Sequence, residues 1–187
     1  MGVTLVSGIP GVGASTICQT ARQRLADDVQ LVNFRDVMLE QAAARGLAGS
    51  RKDLSALTAR ETRRLQRRAG EYVADRSEVR EVILNTSLAA ETAEGYLTGL
   101  TPDALDGVAP ERFVVLEAAP ETIVERRVES DRPYGDPSVR EIRFEQQINR
   151  TATVALAAEA ASPVRHLENE GAVDGVATDL VAAVHVE

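Results

Sequence analysis

Sulfur, histidine and lysine are all scarce in this 187-residue chain, and each scarcity excludes a class of chemistry. Cysteine occurs once, as Cys18, so no internal disulfide can form. It falls on an apolar position of an expected helix, where a free thiol packs as a small hydrophobe more often than it reacts. The two histidines, His166 and His185, stand apart without metal-ligand spacing, so neither a zinc site nor a histidine-based catalytic triad is supported. No apolar run approaches the roughly 20 residues of a membrane span. Nor does a basic stretch lead into an apolar segment and cleavage site near the start. The expectation is a cytoplasmic protein with no membrane partner. Lys52 is the only lysine beside 20 arginines, a usage that fits an acidic, high-salt cytoplasm as well as a GC-rich genome.

What is present suits one domain. The apolar fraction of 44% supplies a full hydrophobic core and rules out a mostly disordered chain. The net charge of −8 argues against broad nucleic-acid binding, but it is unevenly spread. Residues 51–68 carry seven bases (Arg51, Lys52, Arg60, Arg63, Arg64, Arg67, Arg68) against Asp53 and Glu61, a local +5 that leaves −13 for the remainder. No repeat, linker or low-complexity tract suggests a domain boundary, so residues 1–187 read as a single domain.

Short apolar runs alternate with helical patterns. Strands are expected over Val3–Val6, Val29–Phe34, Glu81–Leu84, Arg112–Leu116 and Val164–Leu167. Helices are expected from Ser15 to about Ala26, from Asp36 to Arg45 and from Thr58, where Thr58-x-x-Glu61 forms a capping box, to about Arg76. Pro120 suits the first turn of another helix, residues 138–160 form a long alanine-rich one, and Val173–Val184 the last. Five apolar strands alternating with helices predict an α/β fold, a five-stranded parallel sheet covered on both faces.

The stretch "SGIPGVGAST" at 7–16 follows the first strand and opens the first helix. A phosphate-binding loop of the Walker A type runs Gly, four residues, Gly, Lys, then Ser or Thr. Gly8, Ile9, Pro10, Gly11, Val12, Gly13 and Ser15 fit, and Ala14 stands where the lysine belongs. Bare glycine backbone wraps phosphates with inward N–H groups, at a helix N-terminus that favours negative charge, and Ala14 leaves that apparatus in place. Ser15 keeps a hydroxyl for Mg²⁺ and Thr16 adds a donor. The missing lysine would reach the β- and γ-phosphates, which an alanine methyl cannot do.

Taken together, "GIPGVG", "NFRDVML" at 33–39, "LTARETRRLQRRAG" at 57–70, "GYLTGL" at 95–100, "VVLEAAPETIVERR" at 114–127 and "NEG" at 169–171 resemble the archaeal-type adenylate kinases nearly end to end. The resemblance implies a P-loop NTPase fold that converts ATP, carried with Mg²⁺, and AMP into two ADP. It also implies a monophosphate-binding section, here about 35–77, and a lid over the phosphates, here about 128–138. Arg126 and Arg132 match lid arginines that would act in transfer. After the third strand the family shows Asp-Thr-His and this chain has Asn85-Thr86-Ser87, so Ser15 and Asn85 are the implied metal contacts. Ser55 stands where the family tends to place an arginine, and Arg35, Lys52 or Arg132 are candidates to supply the missing charge.

The basic stretch at 51–68 is either a grip on the AMP dianion or a solvated helix face, since not all of Arg60, Arg63, Arg64, Arg67 and Arg68 can point to one ligand at 3.6 residues per turn. Three functions stay open: an adenylate kinase, a nucleotide-binding paralogue without phosphoryl transfer that works through partners or as a switch, and a kinase of another monophosphate. The residues name no protein partner.

Overall fold

A computed structural model describes residues 2–130 and 137–185. Five strands form one parallel sheet: β1 (Val3–Ser7), β2 (Val29–Asn33), β3 (Glu81–Thr86), then β6 (Arg112–Glu117) and β7 (Val164–Glu168), in spatial order β2-β3-β1-β6-β7. Between β3 and β6 the chain makes a separate antiparallel hairpin, β4 (Ala89–Thr92) and β5 (Gly95–Thr98). The parallel sheet is the expected one. The hairpin was not anticipated, because its alanine-rich, largely polar sequence carries neither β-branched enrichment nor clean alternation.

β1 lies at the centre, paired with β3 on one side and β6 on the other, and all five of its residues are buried. A strand covered on both faces needs no polar side, which explains the continuous run Val3-Thr4-Leu5-Val6-Ser7. From β1 the chain crosses to β2 and returns to β3 between them, and β6 and β7 are laid down on the opposite side of β1. The loop after β1 therefore opens at the point where strand order reverses, beyond the carboxyl ends, where open α/β sheets bind ligands.

The helices are α1 (Ala14–Arg22), α2 (Phe34–Ala43), α3 (Arg51–Ser55), α4 (Ala59–Ser77), α5 (Pro102–Val108), α6 (Pro120–Val128), α7 (Val139–Glu159) and α8 (Val173–Val184). Two apolar clusters fill the two faces of the sheet. One gathers Val37, Met38, Leu65, Ala69, Val73, Leu105 and Leu156 from α2, α4, α5 and α7. The other gathers Ile17, Cys18, Ala21, Ile123, Val176 and Leu180 from α1, α6 and α8. Cys18 is fully buried, as its helical position predicted, and burial pushes its thiol up to about 12.

Several helices start where side chains satisfy their first amides. Thr58 and Glu61 form the predicted reciprocal capping box at α4, and Ser138 with Glu141 does the same at α7. The short α3 and α5 lie outside the sequence expectation, yet each carries a local cap: Ser50 accepts from Asp53 N–H, and Thr101, followed by Pro102, accepts from Ala104 N–H. No helix among the described residues is long and apolar enough to cross a membrane.

Candidate functional site

The glycine loop runs from Gly8 to Gly13 between β1 and α1. Gly8 N–H donates to Thr86 O at 3.1 Å and Val12 N–H to Ile9 O at 3.2 Å, which tie the loop to the end of β3 and close its first turn. Gly13 is the N-cap of α1, with φ of 91°, and no side chain caps the helix there. The first main-chain helical bond at this end is Ile17 N–H to Gly13 O, 3.1 Å, so the amides of Ala14, Ser15 and Thr16 belong to the unpaired first turn that suits an anion. Gly13 has a second reason to be glycine: a methyl group on it would lie 2.5 Å from Asn169 Nδ2.

The carbonyl side of the loop is braced by side chains from distant segments. Asn169, in the turn between β7 and α8, donates from Nδ2 to Val12 O at 2.7 Å. Arg126 donates to the same oxygen at 3.3 Å and to Asn169 O at 3.0 Å. Arg127 donates from Nε to Pro10 O at 2.8 Å and pairs with Glu145 of α7. Its side chain is 5% exposed and Glu145 is 17% exposed, so this ion pair is largely out of water. Tyr96, from the β4–β5 hairpin, donates to the other Glu145 oxygen at 3.1 Å. Partial burial, followed by the Glu145 charge, pushes the Tyr96 phenol above its ordinary value, so it stays a donor. A connected path thus runs Tyr96, Glu145, Arg127, Pro10.

Below the loop, β1 ends in a buried polar knot. Asn149 of α7 donates to Ser7 Oγ at 2.8 Å and accepts from Leu88 N–H at 2.8 Å, while Ser7 and Thr153 share a hydrogen bond of 2.6 Å. Fully paired groups of this kind hold one arrangement, since each member would be costly to leave unmatched. Asn169, beside the loop, is not fully matched: its residue is 3% exposed and its Oδ1, like the buried side-chain oxygens of Thr4, Gln30, Thr62 and Gln66, has no partner among the described residues.

The two residues implied as metal contacts do meet. Asn85 Nδ2 lies 3.3 Å from Ser15 Oγ and donates to it. The pair is a carboxamide and a hydroxyl, both neutral, with one donor already turned to the other. Among the described residues no group of three or more His, Cys, Asp or Glu side chains is placed to hold a metal. This donor set does not fit a magnesium anchored by protein carboxylate; a metal arriving with a nucleotide would find its negative partners on the phosphates alone.

Of the two expected catalytic arginines, Arg126 sits in the last turn of α6 with its guanidinium on the main-chain oxygens of Val12 and Asn169. Arg132, and most of the 128–138 lid section, lie outside the described residues. Ala14 is 8% exposed and packs in the same apolar cluster as Val12 and Ile17.

In the 35–77 section, Arg35 donates to Ser55 Oγ at 2.8 Å and Arg51 pairs with Asp36. Ser55 thus receives an arginine contact where the family tends to place an arginine of its own. Arg60, Arg63, Arg64, Arg67 and Arg68 are all exposed on α4, opposite the buried Thr62, Leu65, Gln66, Ala69 and Val73. Their geometry is that of a solvated helix face.

Sequence reasoning missed Arg127, Glu145 and Asn169 as the bracing residues. "NEG" at 169–171 was visible as a motif, but its contact with Val12 spans 157 positions and carries no local signal.

Comparison with known proteins shows the family. Residues 7–143 match the family described as AAA domain. The chain is 36% identical over 170 residues to an adenylate kinase of Methanopyrus kandleri, covering 89% of this chain and 88% of that one. It is 32% identical over 168 residues to an adenylate kinase of Pyrococcus abyssi, covering 89% and 86%. Among solved structures it is similar in fold to shikimate kinase from Bacteroides thetaiotaomicron, at a TM-score of 0.61 and 15% identity over 99% of each chain.

Proposed function

Because the chain belongs to the archaeal-type adenylate kinase family and keeps its glycine loop without the lysine, we propose that it binds ATP at Gly8–Thr16 and AMP over residues 35–77, and transfers a phosphoryl group between them. The observation that carries this reading is the loop itself. Its glycines hold left-handed geometry at Gly11 and Gly13, the following helix end has no side-chain cap, and the opposite carbonyl side is braced by three buried or half-buried side chains. Main-chain amides aimed at phosphate require no reorganisation on binding.

In this proposal Ser15 and Thr16 add hydroxyls to the phosphate cradle, while the lid role that the family implies for 128–138 with Arg132 falls mostly on residues outside the described ones. ATP enters with Mg²⁺ carried on its own phosphates. Arg126 and Arg127 act first on the loop: by holding Pro10 O and Val12 O they keep the carbonyls turned away from the ligand and the amides turned toward it.

A second reading, nucleotide binding without transfer, is favoured by a specific observation. Ala14 brings no cation, Asn85 brings no anion, and Arg126 is engaged with main chain. Removing one charged group aimed at a transition state typically slows a reaction about 10²–10³-fold.

Calorimetry with ATP and Mg²⁺, beside a coupled assay of ADP formation from ATP and each monophosphate, separates the two. Heat of binding with AMP-dependent ADP formation is the expected result. Binding without turnover selects the second reading, and no binding at millimolar ATP overturns both.

A further inference from the structure

The groups that hold different parts of a polyphosphate have fared differently in this chain, and we propose that its loop recognises a nucleoside diphosphate in preference to a triphosphate. The inference rests on the reading of the loop as a nucleotide site. In a phosphate loop, main-chain amides cradle the α- and β-phosphates. The lysine and a carboxylate-supported metal serve the β- and γ-phosphates.

The first set is intact. Gly11 and Gly13 have φ of 88° and 91°, α1 begins without a side-chain cap, and the loop carbonyls are bonded from behind by Asn169, Arg126 and Arg127. The second set has been lost from two separate elements. At the start of α1, Ala14 offers a methyl packed with Val12 and Ile17. At the end of β3, Asn85 turns its amide to the Ser15 hydroxyl. A γ-phosphate thus adds a negative charge to a chain of net −8 with no loop lysine to meet it, and no strand carboxylate to hold a metal against it.

An independent feature argues for the nucleoside. Asn169, which bonds Val12 O and abuts Gly13, keeps a buried Oδ1 with no partner. A sugar hydroxyl or base amine supplies the donor that this oxygen lacks. Inorganic pyrophosphate carries neither a sugar hydroxyl nor a base amine.

The test is calorimetry of the full chain at pH 8 with ADP, ATP and pyrophosphate, each in EDTA and in Mg²⁺. ADP is expected to bind tightest in EDTA, with ATP weaker by about threefold or more, as for one unpaired charge near a protein surface, and pyrophosphate weaker than both. ADP affinity should be the same within about threefold in Mg²⁺, since no carboxylate recruits the metal. The wild-type ranking decides. ATP binding as tightly as ADP or tighter overturns the preference and leaves the loop a nucleotide site. Pyrophosphate matching ADP overturns the nucleoside part. Binding by none of the three overturns the nucleotide reading and this inference with it. The double variant Ala14→Lys with Asn85→Asp, checked for native circular dichroism, should favour ATP over ADP in Mg²⁺. A folded double variant that still favours ADP refutes these two positions as the cause.

Discussion

The glycine loop and the α3–α4 section stand on the same side of the family's chemistry but are built from opposite materials. The loop contains no charged side chain, is buried or half-buried, and has its carbonyls at Pro10 and Val12 held from α6 and from the turn before α8. The α3–α4 section is dense in charge, and all five arginines of α4 between 60 and 68 are exposed. A site made of main chain keeps its shape when a side chain changes, provided the backbone is braced elsewhere. A site made of charge works only if the charges converge. The loop tolerates Ala14 as architecture, whereas the count of arginines on α4 does not by itself make a pocket.

The sharpest way to break this contrast is to remove the brace. Arg127→Ala leaves Glu145 with its partner gone in a poorly hydrated position and frees Pro10 O, so unfolding in urea should show a loss of about 3–5 kcal/mol. A loss below about 1 kcal/mol would make the brace incidental. Next in size is restored chemistry. Ala14→Lys alone should help ADP formation from ATP and AMP little, while Ala14→Lys with Asn85→Asp should exceed the product of the single effects, approaching about 10²-fold. A silent double variant would point to changes beyond these two positions.

Gly13→Ala tests the loop's backbone directly. With φ of 91° and Asn169 Nδ2 in the way of a methyl, it should cost about 1–3 kcal/mol, with nucleotide binding falling alongside. The exposed face is expected to answer weakly. Arg67→Gln with Arg68→Gln should change stability by no more than about 0.5 kcal/mol and leave AMP titrations unaltered; a loss of AMP affinity beyond about tenfold would return α4 to the monophosphate site.

The smallest effect concerns pH. Hydrogen bonds from the Thr58 hydroxyl and main-chain N–H hold the Glu61 carboxyl below its ordinary range, and the Ser138 main-chain N–H and hydroxyl do the same for Glu141. A depressed folded-state value means this stability is present above the unfolded carboxylate range, near pH 4–5, and is lost as pH falls through the folded value. Wild type and Thr58→Ala should therefore differ by a constant amount at neutral pH and converge in acid. A gap that widens in acid would contradict the capping assignment.

What could be read beforehand follows the range of the interactions. Helix α8 was expected over Val173–Val184 and is found there, and the Thr58/Glu61 box was visible because both partners lie within one turn. The centre of the sheet was legible because β1, β3 and β6 are buried and largely apolar runs, whereas the edge strand β7, VRHLE, is mostly exposed. The short helices α3 and α5 had readable starts, Ser50 with Asp53 and Thr101 with Pro102, but bodies too brief to show a helical period. In the site, the glycines announced the loop, and positions 14 and 85 announced the missing lysine and carboxylate. The brace was illegible: Arg127 reaches Pro10 across 117 positions and Asn149 reaches Ser7 across 142, and neither distance leaves a trace in local pattern.

Cys18 has a practical consequence. As the sole thiol, fully enclosed one turn beyond the loop, it is a built-in clock for the opening of α1. An alkylating probe can react only in molecules whose first helix has lifted from the core, so the labelling rate counts those excursions without any engineered reporter. Whatever settles on the loop must slow that clock, and the factor by which it slows measures how firmly the ligand grips the helix beneath it.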